Sequence, residues 1–165
     1  MREVTLAEVP EALGPVFEAG DPLAKGRTGE RRHLAVMGEI VAAIAAGDYD
    51  QVRGHLCADV TLEIAAPPSV PWVRRATGAD EVVAAVRHNF RTLRDQRPTP
   101  LAIAAQGDTV MIMARESGTW VANGAPYAAM LSQQWTFRGE KLACIRSVAA
   151  FVAPEEHQGE ETASG

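Results

Sequence analysis

Arg115 is the side chain whose surroundings give it the most chemical meaning. It lies in the run Thr109 to Trp120, TVMIMARESGTW, which reads as a long strand. If Met113, Arg115 and Ser117 share the inward face, a guanidinium stands in a cavity otherwise built from Ile, Leu, Val, Met and Trp. Arg does not shed its proton, so such a group needs an anionic or strongly hydrogen-bonding partner. Gln133 and Ser147, on later runs, are candidate neutral acceptors, and a bound carboxylate, enolate or phenolate would meet the same need. A one-residue slip in parity reverses the picture: Arg115 then faces solvent or a dimer partner, and Glu63 or Glu116 can supply charge.

Other reactive residue types point nowhere as specific. His88 falls opposite the Val82 and Val86 stripe, His157 lies in a Glu-rich terminal segment, and periodicity places His33 and His55 at the surface or a rim. No histidine pair has metal-ligand spacing, no Ser, His and Asp set is legible, and phosphate-cradling glycine motifs are absent. Neither a metal nor a cofactor is therefore expected. Cys57 and Cys144 belong to no CxxC and read as free, buried thiols. Trp135 is expected to face the cavity beside Gln133, and Trp72, set between prolines, is expected at an entrance or as a loop anchor. Arg87, Arg91, Arg94 and Arg97 line up but are diluted by Glu81 and Asp95, which reads as a solvated helix face, with capture of an anionic macromolecule as the alternative.

These residues need a scaffold, and 165 residues with 47% apolar content provide one core. The net charge of −5 is concentrated at the ends: residues 154–165 carry −4 and residues 1–30 carry −3, leaving the body at +2. Such a body lacks the concentrated basic surface that nucleic-acid binding requires. No apolar run is long enough for a membrane span, and the N-terminus lacks the uninterrupted apolar stretch of a leader, so a cytoplasmic protein is expected.

The pattern predicts an N-terminal extension over residues 1–29 that could cover a pocket mouth, one domain over 30–153, and an acidic disordered tail over 154–165. Leu34, Met37, Ile40, Val41 and Ile44 recur at helical spacing over Glu30 to Ala46; Gly47 ends that helix and Asp48 or Asp50 caps a short second one. Thr61 to Ala66 reads as a strand, followed by a rigid Pro67, Pro68, Pro71 loop bearing Trp72. A third helix runs from Gly78 to about Leu93, and Pro98 and Pro100 separate it from a meander over Leu101–Gln106, Thr109–Trp120, Tyr127–Phe137 and Leu142–Val152.

Residues 42–64, AAIAAGDYDQVRGHLCADVTLEI, and the later RGEKL carry a resemblance to SnoaL-like and ketosteroid isomerase-like members of the NTF2-like superfamily. The resemblance implies an α+β fold, an NTF2-like (cystatin-like) cone in which three N-terminal helices pack on a curved mixed or antiparallel sheet enclosing a cavity. Laid on the ketosteroid isomerase pattern, Ile64 takes the place of the general base, Ile40 of the helix Tyr and Gln133 of the late Asp, so that mechanism is not supported. Laid on the limonene epoxide hydrolase pattern, Arg115 takes the Arg position but Ser117 and Ser147 replace both acids; Ser147 also replaces the late acid of SnoaL-like cyclases. What remains implied is a homodimeric small-molecule pocket protein, an isomerase, cyclase or hydrolase acting on a largely apolar or amphipathic ligand with one polar or anionic group. Its candidate catalytic residues are Arg115, Gln133 and Ser147, with Ile40, Ile64, Trp72, Met113, Ser117, Leu131 and Trp135 against the ligand. The alternative is a non-catalytic binding protein with the same cavity.

Overall fold

The computed structural model describes residues 28–152. Helix α1 (Thr28–Ala46) forms because Val36, Met37, Ile40 and Ala43 fall on one face at three- and four-residue spacing, and all four are buried. The Asp48 carboxylate accepts from the Gln51 backbone N–H at 3.0 Å and starts α2 (Tyr49–Gly54). Strand β1 (Leu56–Ala65) follows, then the short β2 (Arg75–Thr77), α3 (Ala79–Arg91), and four long strands, β3 (Leu93–Gln106), β4 (Thr109–Trp120), β5 (Pro126–Arg138) and β6 (Lys141–Val152). They build one curved six-stranded sheet in the order β2-β1-β6-β5-β4-β3, with β1 parallel to β6 and the other neighbours antiparallel. The expected α+β cone is the observed architecture. The expected terminal extension and tail, apart from residues 28 and 29, fall outside the described residues.

Two readings are corrected. Pro98 and Pro100 do not separate α3 from the meander; both lie inside β3, which starts directly after α3. They are tolerated because β3 is an edge strand, where a missing N–H on the open side interrupts no ladder. His33 is not at the surface but 5% exposed, with its ring stacked on Phe137 at 4.6 Å between centroids. Its Nδ1 lies 3.1 Å from the Gly107 carbonyl oxygen and its Nε2 2.9 Å from that of Gly139. Both glycines occupy the left-handed region, φ 58° and 61°, at the β3–β4 and β5–β6 turns. His33 thus fastens the start of α1 to two turns at one end of the sheet, aided by Glu30, which accepts from the Gly107 N–H at 2.8 Å.

No helix among the described residues is long and apolar enough to cross a membrane. The His33→Phe variant keeps an aromatic ring against Phe137 but offers no ring N–H to either carbonyl. It should lower unfolding free energy by about 1–3 kcal/mol in urea titrations, and an unchanged midpoint would show the turn contacts to be dispensable.

Candidate functional site

The helices and the inner sheet face enclose a cavity of about 190 Å³. Its wall is apolar, from Ile40 and Ile44 on α1, Val82 and Val86 on α3, and Leu62, Ile64, Ile112, Leu131, Trp135 and Ile145 on the sheet. The polar lining side chains, tryptophan apart, are Asn89, Gln96, Glu116, Gln133 and Ser147, and no Lys, Arg or His lines the cavity among the described residues.

One polar group sits where β5 and β6 pair. Gln133 is directly opposite Ser147, with Nε2 3.5 Å from the Ser147 hydroxyl, and the Trp135 indole N–H donates to Gln133 Oε1 at 3.2 Å. Ile64 is the register partner of Ser147 on the other side. The indole bond uses one of the two lone pairs on the Gln133 oxygen, and the amide nitrogen is directed at the Ser147 hydroxyl.

A second polar group lies on β4. Glu116 is 6% exposed; its Oε1 accepts from the Tyr127 hydroxyl at 2.6 Å and from Gln96 Nε2 at 3.5 Å. Burial pushes this carboxyl above the usual glutamate range, against the opposing effect of the Tyr127 and Gln96 donors. Burial, and then the Glu116 charge, push the Tyr127 phenol upward, so it remains a donor. Gly118 is the register partner of Tyr127, and a Cβ there would lie 2.7 Å from the Tyr127 ring and 2.9 Å from the Arg94 carbonyl. The glycine is therefore what lets the tyrosine lie flat on β4 and reach Glu116.

The cavity end near Glu116 is covered by the loop before β2. Asn89 uses both ends of its amide on one residue, accepting from the Val73 N–H at 2.8 Å and donating to its carbonyl at 3.1 Å. Trp72 next door donates its indole N–H to Thr92 Oγ1 at 3.1 Å and packs on Trp120 and Phe151. The expected entrance residue is thus part of the cavity wall, held there by α3.

Of the predicted site residues, Gln133, Ser147, Ile40, Ile64, Trp72, Leu131 and Trp135 all line the cavity. Arg115, Met113 and Ser117 do not, and their expected inward facing is corrected. Ile112, Ala114 and Glu116 carry the inner face of β4, which sets Arg115 on the outer face, exposed, and leaves Met113 47% exposed. The physical reason is that an outward guanidinium stays hydrated, whereas an inward one would meet no carboxylate but Glu116, which this parity would itself turn away. Reasoning from sequence missed Asn89, Gln96 and Glu116 as wall residues. Asn89 was readable as a polar residue within the inward stripe Val82, Val86, Phe90 of α3; Glu116 was readable only through the parity alternative.

The family model of the SnoaL-like domain matches residues 37–145. No curated protein matches the chain. Among solved structures, an NTF2-like protein of Burkholderia xenovorans is 16% identical, with a TM-score of 0.66 over 75% of this chain and 93% of that one. A candidate SnoaL-like polyketide cyclase of a Jannaschia species is 12% identical, with a TM-score of 0.64 over 74% and 88%. TerC, co-crystallised with polyporic acid, is 16% identical, with a TM-score of 0.60 over 72% and 92%.

Two outcomes test this geometry. Gly118→Ala should cost about 1–3 kcal/mol of stability by forcing Tyr127 aside, and calorimetric melting that left it as stable as the wild type would contradict the packing. A carboxyl raised in the fold binds its proton more tightly there than in the unfolded chain, so its contribution is complete at acidic pH and is lost as pH rises through the folded value. Glu116→Gln should flatten that decline with rising pH in a series of melting curves.

Proposed function

The chain belongs to the SnoaL-like domain family, and from that premise we propose that its cone encloses a largely apolar, electrically neutral small molecule and acts on it as an isomerase, cyclase or hydrolase. The observation that carries this reading is an apolar cavity with no cation on its wall among the described residues and with polar groups at only a few positions. An anionic ligand would find no counter-charge there, so the polar group of the ligand is neutral. Gln133 and Ser147 hydrogen-bond it, and Ile40, Ile64, Leu131, Trp72 and Trp135 form the apolar wall. A cavity of about 190 Å³ exceeds the ~150 Å³ that admits benzene and falls short of the ~300 Å³ at which drug-sized pockets begin. One or two rings is the size that fits. TerC was crystallised with polyporic acid in the same fold, which supports a small-molecule occupant.

A sequestering protein would use the same cavity. The buried Glu116 carboxyl favours chemistry instead, since keeping an ionisable group in apolar surroundings costs stability and such groups concentrate at reacting sites. On the outer sheet face Met111, Met113 and Val148 are 42%, 47% and 56% exposed, and the proposed homodimer covers them with a second copy. Both cysteines are free, in keeping with the proposed cytoplasmic location.

Isothermal titration of the full chain with 2-acetylnaphthalene, a neutral two-ring ketone, tests the pocket. Binding should saturate in the wild type and in Met113→Trp, whose substitution lies on the outer face. It should be lost in Ile64→Trp, which fills the cavity, with melting curves checking that both variants fold. Equal binding by both variants would place the ligand elsewhere.

A further inference from the structure

The cavity has one ionisable wall residue that none of the family patterns accounts for. Among the described residues, the Glu116 carboxyl makes its hydrogen bonds through Oε1 alone, to Tyr127 and Gln96. No fully enclosed side-chain nitrogen or oxygen is left without a hydrogen bond among the described residues, so Oε2, which has none, is not fully enclosed, and the Glu116 side chain lines the cavity. With two donors already on Oε1, the proton of the neutral acid has its place on Oε2.

Among the described residues the surroundings offer two neutral donors but no cation to balance a bare charge. Glu116 is faced by Tyr127 from β5 and Gln96 from β3, and α3 presents Asn89, whose amide is committed to Val73. Arg94 and Asp95 on the β3 bulge are exposed and lie 3.8 Å from each other, and Arg97 is exposed opposite Ser117 on the outer face. His88 is exposed and bonds the Pro71 carbonyl at 2.9 Å. No cation among these groups touches the carboxyl.

We propose that Glu116 is a specificity-determining residue that meets the ligand as a neutral carboxylic acid and donates a hydrogen bond from Oε2–H to an uncharged acceptor oxygen of ketone, quinone or ester type. This rests on the pocket reading above and goes beyond it by naming the group recognised. The Oε2–H bond stays intact: the ligand oxygen accepts the hydrogen bond, and no covalent bond is made or broken. Tyr127 and Gln96 are positioning residues: they fix Oε1 and so aim Oε2. The same arrangement disfavours carboxylates and phenolates, whose charge would lose its water against an apolar wall that carries no cation among the described residues.

The test compares three ligands of one shape by isothermal titration from mildly acidic to alkaline pH: 2-acetylnaphthalene, 2-naphthoate and 2-ethylnaphthalene. Wild-type protein at the acidic end should bind the ketone about tenfold more tightly than the ethyl compound and bind the carboxylate most weakly. The preference for the ketone should fade as pH rises and Glu116 ionises. In Glu116→Gln, whose amide still donates, the preference should persist without that pH dependence. If Glu116→Gln does not fold, Tyr127→Phe serves: removing a donor that favours the ionised form should move the midpoint to higher pH. Naphthoate binding as tightly as the ketone, an ethyl compound binding equally well, or an unaltered pH profile in the variant would each overturn the role of Glu116 while leaving the pocket intact. Failure of all three ligands to bind would overturn the pocket reading itself.

Discussion

The continuous register of β4, β5 and β6 ties three strands to a single decision about which side chains face inward. Along β4 and β5 the partners run without interruption from Thr109↔Thr136 to Thr119↔Pro126, and β5 and β6 run on from Thr136↔Cys144 to Ala128↔Val152. Because side chains alternate with a period of two, placing Trp135 inward also places Gln133, Leu131 and Tyr127 inward. Through the pairing it places Val110, Ile112, Ala114 and Glu116 on β4, and Ile145, Ser147 and Ala149 on β6, on the same face. No one-residue slip can be confined to β4. Turning Arg115 inward would send Val110, 0% exposed, to the outer face with it.

That constraint imposes a cost at Glu116, and the fold offsets it locally. A carboxyl taken out of water without partners is expensive, and desolvation remains the larger influence on this one even with two donors in place. Tyr127 reaches Oε1 because Gly118, its cross-strand partner, carries no Cβ to hold the ring away. Gln96 reaches it because β3 is bulged between Arg94 and Arg97, where Asp95 takes φ 55°. A glycine outside the cavity lining and a bulge that sends Gln96 into it thus determine how Glu116 is oriented.

These features also explain what could be read from the sequence. The helices and β4 to β6 were legible because their apolar periods are strong and the turns carry Gly or Asn-Gly, and Gln133, Ser147 and Trp135 were legible because one anchored strand fixes its alternation. The facing of β4 was not, since Met111, Ile112, Met113 and Ala114 give both faces apolar residues and no alternation decides between them. The outer face remains apolar at Met111 and Met113, which is where a sequence pattern predicts a core. The facing of β3 was illegible for a different reason. Its inward residues run Leu93, Gln96, Pro98, Pro100, Ile103 and Ala105, and the two gaps of three fall at register shifts that no residue type announces. His33 was misplaced because its two ring nitrogens lie against backbone carbonyls of turns 74 and 106 residues away, contacts that periodicity does not announce.

The same register sets the scale of what the cavity can hold. Glu116 pairs with Ala129, and Gln133 lies four positions further along β5, so roughly 13 Å of strand separates the two polar groups at about 3.3 Å per residue. A cavity of about 190 Å³ stretched between them is narrow. On the proposed reading, a flat one- or two-ring molecule would lie along the strands rather than across them, with an oxygen toward Glu116 or a polar substituent toward Gln133 and Ser147. The apolar side chains between, Ile112, Ala114 and Leu131, line the cavity and would contact the molecule's faces without distinguishing one ring system from another. Discrimination then falls on the ends, where a hydrogen bond to a buried group separates ligands more sharply than a methyl's worth of apolar contact.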